Sequence, residues 1–161
     1  MITIKIICVG DLKEKYLKEM QAEYTKRLSK YCKLEIISLK DEKLPSSLSE
    51  ANCNIVKEKE ASLILQKLST QNSYTFVLDE KGNEYTSVKL SEKISTLMTQ
   101  GNSTINFIIG GSLGLTDSIR KSGNEILSFS KLTFPHQLIR MFLLEQLFRS
   151  FKIINNETYH H

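Results

Sequence analysis

The chain has 161 residues and a mass of 18.5 kDa, the size of a single domain, here taken as residues 1–161. Hydrophobic residues make up 40% and charged residues 25%, which excludes a disordered polymer or a collagen-like fibre. No apolar run approaches the roughly 20 residues needed to cross a bilayer. There are 22 basic and 18 acidic residues, a net charge of +4, a balance that permits a nucleic-acid partner without demanding one.

The opening residues 1–16 carry only a short apolar stretch, interrupted by Lys5. They read as the start of a folded domain rather than a signal peptide, so the expected location is cytoplasmic, with no membrane partner. Cys8, Cys32 and Cys53 are odd in number and lack the paired spacing of a zinc site or a disulfide framework. Cys8 lies in an apolar run and reads as a small buried hydrophobe.

In chain order, residues 2–9 are short and β-branched, a strand. Residues 12–31 place Leu12, Tyr16, Met20, Tyr24 and Leu28 at four-residue steps, one stripe of an amphipathic helix. Residues 34–39 read as a second strand, 40–49 as a loop containing Pro45, and 50–68 as a helix. Residues 74–78 form a third strand, closed by the turn composition of residues 79–83. Ser87 is placed to cap a helix over 88–99. Residues 104–109 form a fourth strand, 116–122 a short helix, 125–129 a fifth strand and 135–152 the last helix, with Pro135 suited to its first turn. Strands alternating with helices predict an α/β fold with a mostly parallel sheet flanked by helices.

Four stretches bear on chemistry. Gly110–Gly111–Ser112–Leu113–Gly114 follows the fourth strand directly. It lacks the GK[ST] of a P-loop and the spacing of the dinucleotide fingerprint, so a tight strand-to-helix turn and a ligand-binding turn both remain open. Residues 128–136 again join a strand to a helix, and Leu132 and Phe134 make this loop apolar enough to pack on protein or on a flat ligand. His136, in a first helical turn, reads as structural before catalytic. The last helix is apolar around nearly its whole circumference, a pattern that predicts burial on all sides and points to a two-fold dimer. Arg140 and Arg149 interrupt it, either snorkelling to solvent or facing an anion. In the tail, Asn156 is placed to end the helix with a left-handed backbone. No Ser–His–Asp order, glycosidase carboxylate pair or HExxH motif stands out, so a hydrolase gains no support.

Taken together, FIIGGSLG at 107–114, LSFSKLTFPHQLIRMFLLEQLFR at 127–149 and the closing Tyr159–His160 resemble the ribosomal RNA large subunit methyltransferase H (RlmH) family, of the SPOUT class. The likeness spans essentially the whole chain. It implies a homodimer with a C-terminal trefoil knot that binds S-adenosyl-L-methionine and transfers its methyl group to N3 of a pseudouridine in 23S rRNA on the assembled ribosome. Carried over residue by residue, it implies a cofactor site made by Leu78, Gly110, Phe129, Ser130, Lys131, Leu132, Thr133 and Phe134. Tyr159 and His160 become candidates for positioning or proton handling, and Arg140 for electrostatic support. The chain departs from the family pattern at Asn155 and Asn156, where a basic residue and glycine are common, at Phe148 in place of tyrosine, and at His161 in place of a terminal Lys or Arg. Two other classes compete: a non-catalytic ribosome-binding factor that keeps the knot, and a flavodoxin-like nucleotide binder, which leaves the Tyr–His ending unexplained.

Overall fold

A computed structural model describes residues 1–44 and 46–161; Pro45, in the expected loop, lies outside the described residues. The elements are β1 (Thr3–Val9), α1 (Lys15–Leu28), β2 (Lys33–Leu39), α2 (Glu50–Lys67), β3 (Ser73–Glu84), α3 (Ser87–Thr99), β4 (Thr104–Ile109), α4 (Asp117–Ser122), β5 (Glu125–Ser128) and α5 (His136–Ile154). The strands form one sheet in the order β2-β1-β4-β3-β5, and every pairing is parallel.

Successive strand residues point to opposite faces, and two apolar clusters divide along that parity. Ile4, Ile6 and Cys8 of β1, Phe76 and Leu78 of β3, and Phe107 and Ile109 of β4 pack beneath α1, α3 and α5. Ile7 and Val9, Val77 and Ile108 face the other way, toward Ala61 and Ile64 of α2 and Ile119 of α4. The central strands are therefore buried on both faces toward their carboxyl ends, which is why residues 6–9, 76–78 and 107–109 read as apolar runs.

Two local expectations change. The side chain of Thr86, not Ser87, caps α3, accepting from the Lys89 backbone N–H at 3.1 Å. The Ser87 hydroxyl instead donates to Gln146 Oε1 at 2.7 Å, tying α3 to α5. Residues 79–83 do not end β3. Leu78 and Asn83 are both in register with Leu127, and Glu84 with Ser128, so the strand bulges at residues 79–82 and then resumes its pairing. Gly82 makes this possible: a Cβ there would lie 2.6 Å from the backbone carbonyl carbon and oxygen of Ile126.

Helix α5 is buried more completely within its own chain than a terminal helix was expected to be. Met141, Leu143, Leu144, Leu147, Phe148 and Phe151 are covered by α1, α3 and the sheet. Ile139, Ile153 and Ile154 are half-buried, and Leu138 and Phe142 are exposed, at 37% and 39%. The helix ends as read: Asn156 has φ +55, and the Glu157 N–H donates to the Lys152 carbonyl at 2.9 Å.

Candidate functional site

Parallel strands bring their carboxyl ends to one edge of the sheet, where ligands of open α/β folds bind. The ends of β3, β4 and β5 open there onto a cavity of about 790 Å3, within the range that encloses a cofactor-sized ligand. Its walls come from three segments: Leu78 with the bulge 79–81, the glycine-rich turn from Gly110 to Leu115, and the loop from Phe129 to Pro135. His136 and Ile139 of α5 close its base.

The glycine-rich turn owes its shape to two of its glycines. Gly114 holds φ +84, a left-handed conformation that side chains disfavour, and its N–H donates to the Gly111 carbonyl at 3.0 Å. A Cβ on Gly110 would stand 2.7 Å from Cδ2 of the buried Leu115. The turn therefore packs closely on Leu115 while its glycines line the cavity.

The bulge contributes the polar rim. Asp79 accepts the Lys81 backbone N–H at 3.0 Å and is forked by Arg120, whose Nε and Nη2 both lie 2.9 Å from Oδ2. Burial alone would raise the Asp79 carboxyl; the Lys81 N–H and the Arg120 guanidinium outweigh it and hold the group below its ordinary value. Opposite, the Ser128 hydroxyl lies 3.1 Å from the Glu80 carbonyl and 2.9 Å from that of Ser130, while the Ser130 hydroxyl accepts the Leu132 N–H at 3.0 Å. Burial pulls the His136 imidazole below its usual pKa; the nearby Arg140 and Lys13 charges add to this and Asp41 opposes it.

Of the eight residues expected to form the cofactor site, Leu78, Gly110, Phe129, Ser130, Leu132, Thr133 and Phe134 line this cavity. Lys131 is exposed and stands outside the lining. Sequence reasoning missed Asp79, Glu80 and Arg120. The acidic pair had been read as turn composition, and nothing local in the sequence links Asp79 to an arginine 41 residues away.

The other three candidates sit elsewhere. Arg140 neither snorkels nor faces a groove. It is 1% exposed, with Nη2 donating to the Gly10 carbonyl at 2.7 Å and Nη1 lying 3.4 Å from both Gln21 Oε1 and Ser38 Oγ, while Nε has no partner among the described residues. Tyr159 and His160 are gathered on the far part of α5. The Tyr159 ring packs edge-on against Phe148 with centroids 5.0 Å apart and lies under the Arg149 guanidinium. Its hydroxyl is 3.3 Å from Glu145 Oε1, and Arg149 Nη1 is 3.1 Å from His160 Nδ1. Arg149 is held in turn by Glu145 at 2.6 Å. Burial first, and then the neighbouring Tyr24 and Glu145, push the Tyr159 phenol up to about 12, so it stays protonated through the neutral range. None of the tail residues lines the cavity of its own chain.

An all-parallel α/β sheet with a glycine-walled cavity beyond three strand ends belongs to the class of open α/β proteins that place their ligand site there. Residues 2–160 match the family described as predicted SPOUT methyltransferase, and the chain belongs to that family and, within it, to the methyltransferase H group. It is 54% identical to ribosomal RNA large subunit methyltransferase H 1 of Clostridium perfringens over 159 residues, 99% of either chain. Identity to the ribosomal RNA large subunit methyltransferase H proteins of Pediococcus pentosaceus and Clostridium botulinum is 53% and 52%, again over 99% of each chain. The resemblance carried by FIIGGSLG, the LTFPH run and the Tyr–His ending is borne out at the level of the family. Membership makes this an enzyme that uses a methyl donor.

Proposed function

We propose that this chain is a 23S rRNA methyltransferase that takes its methyl group from S-adenosyl-L-methionine and places it on N3 of a pseudouridine in the assembled ribosome. The observation that carries the reading is the cavity: seven of the expected cofactor residues, from three separate segments, line one space of about 790 Å3.

The residues present suit this cofactor. Leu78, Leu127, Phe129 and Phe134 offer apolar walls for an adenine, and the turn at Gly110 leaves backbone open to a ligand. S-adenosyl-L-methionine supplies an electrophilic methyl group on a sulfonium. The protein's task is then to align donor and acceptor and to favour the N3 anion of a weakly acidic imide. The loop 129–134 presents backbone donors and acceptors to the cofactor. Arg140, being buried, supports the site through its charge and its grip on the Gly10 carbonyl rather than by touching RNA.

Tyr159 and His160 belong, in this reading, to a site completed by a second copy. They are fixed in place by Arg149 and Glu145, yet they stand outside their own chain's cavity. Exposed Leu132, Leu138 and Phe142 lie around the start of α5 and furnish an apolar face for a homodimer. A dimer also pools two weakly basic surfaces around one RNA groove. The remainder of the reading is a single catalytic unit over 1–161, knotted at its C-terminal part and working in the cytoplasm.

The test is transfer of labelled methyl groups to ribosomes from a strain lacking the activity. Wild-type protein is expected to label them, and replacing Tyr159 and His160 together is expected to abolish turnover while leaving cofactor binding intact. Full turnover by the double variant would remove both residues from the chemistry.

A further inference from the structure

The bulge in β3 does more than bend the strand. Residues 79–82 are extra to the ladder, since Leu78 and Asn83 share one partner, Leu127. Bulges beside functional sites commonly re-aim a side chain. Here the bulge is pinned at both ends, by Arg120 and the Lys81 N–H on Asp79 and by the packing of Gly82 against the Ile126 backbone. Between these pins stand Glu80 and Lys81, and of the two it is Glu80 that bonds to the loop 128–133.

Glu80 meets the loop 128–133 at both of its ends. Its backbone carbonyl lies 3.1 Å from the hydroxyl of Ser128, which is buried at the end of β5. Its carboxylate Oε2 accepts the Thr133 hydroxyl at 2.7 Å, near the start of α5. Between these two points run Phe129, Ser130 and Leu132, all of which line the cavity. The Thr133 contact joins two exposed residues, and a loop tied at one end only would sample more shapes than a loop tied at both.

We infer that Glu80 is a positioning residue for cofactor binding, a clasp whose carboxylate–Thr133 bond holds the loop 129–134 in the shape that receives the ligand. It acts through Thr133 and Ser128 and needs no contact with the reacting atoms. The inference rests on the proposed cofactor reading. Preorganisation of this kind lowers the ordering cost of binding, so its loss should raise the cofactor's KM and leave kcat nearly unchanged.

Calorimetry with S-adenosyl-L-methionine, alongside steady-state methylation of ribosomes, tests it with Glu80→Ala, Glu80→Gln, Thr133→Val and the Glu80→Ala/Thr133→Val pair. Glu80→Ala and Thr133→Val should each weaken binding about five-fold, the scale of a single ordinary hydrogen bond, since this one joins two exposed side chains. The double variant should be no worse than either single one, because both remove the same bond. Glu80→Gln keeps an acceptor for the Thr133 hydroxyl and should recover most of the affinity. KM should rise in step with Kd while kcat at saturating cofactor stays within about two-fold. Unfolding midpoints of the unliganded proteins establish that each variant is folded; should Glu80→Ala fail to fold, Thr133→Val and Glu80→Gln carry the same comparison. Wild-type affinity in Glu80→Ala or Thr133→Val, additive losses in the pair, or a fall in kcat with unchanged KM would each overturn the clasp. Absence of binding by the wild-type protein would overturn the cofactor reading itself.

Discussion

Single atoms decide whether the glycine-rich turn keeps its shape. At Gly110 a Cβ would come within 2.7 Å of Leu115 Cδ2 and 2.8 Å of its Cγ. Leu115 is buried beside the cavity, so either its side chain must move into that space or the turn must shift. Gly110→Ala is expected to cost about 1–3 kcal/mol of stability, the usual penalty for overpacking, and to weaken cofactor binding at least ten-fold on the order of 1.4 kcal/mol or more. Thermal unfolding and calorimetry measure the two effects. His136 provides a pH handle at the base of the same cavity. Burial depresses its folded-state pKa below the ordinary 6.5, so the unfolded chain binds the proton more readily. The resulting stability is present above about pH 6.5 and is lost as pH falls through the depressed folded value. Unfolding midpoints of the wild type should therefore drop more steeply between pH 7 and pH 5 than those of His136→Gln. Parallel slopes would show that another group carries the effect.

Among the elements, α5 has the most divided role. Its first turns line the cavity, its middle fills the core beneath the sheet, and its end holds the tail. The open face at Leu138 and Phe142 is where a second copy is expected to dock. Phe142 packs edge-on against Phe134, with centroids 5.4 Å apart, so the same face reaches the cofactor loop. Phe142→Asp is expected to convert a dimer to a monomer in analytical ultracentrifugation and to lower methyl transfer sharply. An unchanged dimer would move the interface elsewhere. Most of this architecture could be read from the chain: all ten elements fall where apolar period and turn residues put them, with ends differing by at most three residues except at β3, which runs six residues past its expected end at 78. The bulge could not. Asp79, Glu80 and Gly82 have the composition of a turn, and only the pairing of Asn83 and Glu84 with β5 shows that the strand resumes. The burial of Arg140 was not legible for a related reason. Spacing places it on the helix, but its burial depends on the Gly10 carbonyl, 130 residues away in sequence. The cavity's glycine turn and apolar loop, by contrast, were legible because each is continuous in the chain.

For the whole molecule, the net charge of +4 is modest. Spread over one chain it offers little to a polyanion; the proposed homodimer would carry twice that charge. Each phosphate contact releases condensed counterions, so binding to ribosomes should weaken steeply with salt, the logarithm of affinity falling linearly with the logarithm of salt concentration. Salt-insensitive binding, measured by cosedimentation, would point to recognition by shape alone. Among the described residues no helix is long and apolar enough to cross a membrane. The family makes this a large-subunit rRNA methyltransferase, and the central claim proposed on that basis and on the cavity is that the chain methylates a pseudouridine within the ribosome. The most direct measurement incubates the protein and S-adenosyl-L-methionine with ribosomes from a strain lacking the activity and maps the modified nucleotide by mass spectrometry. The account predicts one added methyl group, on N3 of a single pseudouridine. A ribosome left unmodified, or a methyl group found on another nucleotide, would contradict it.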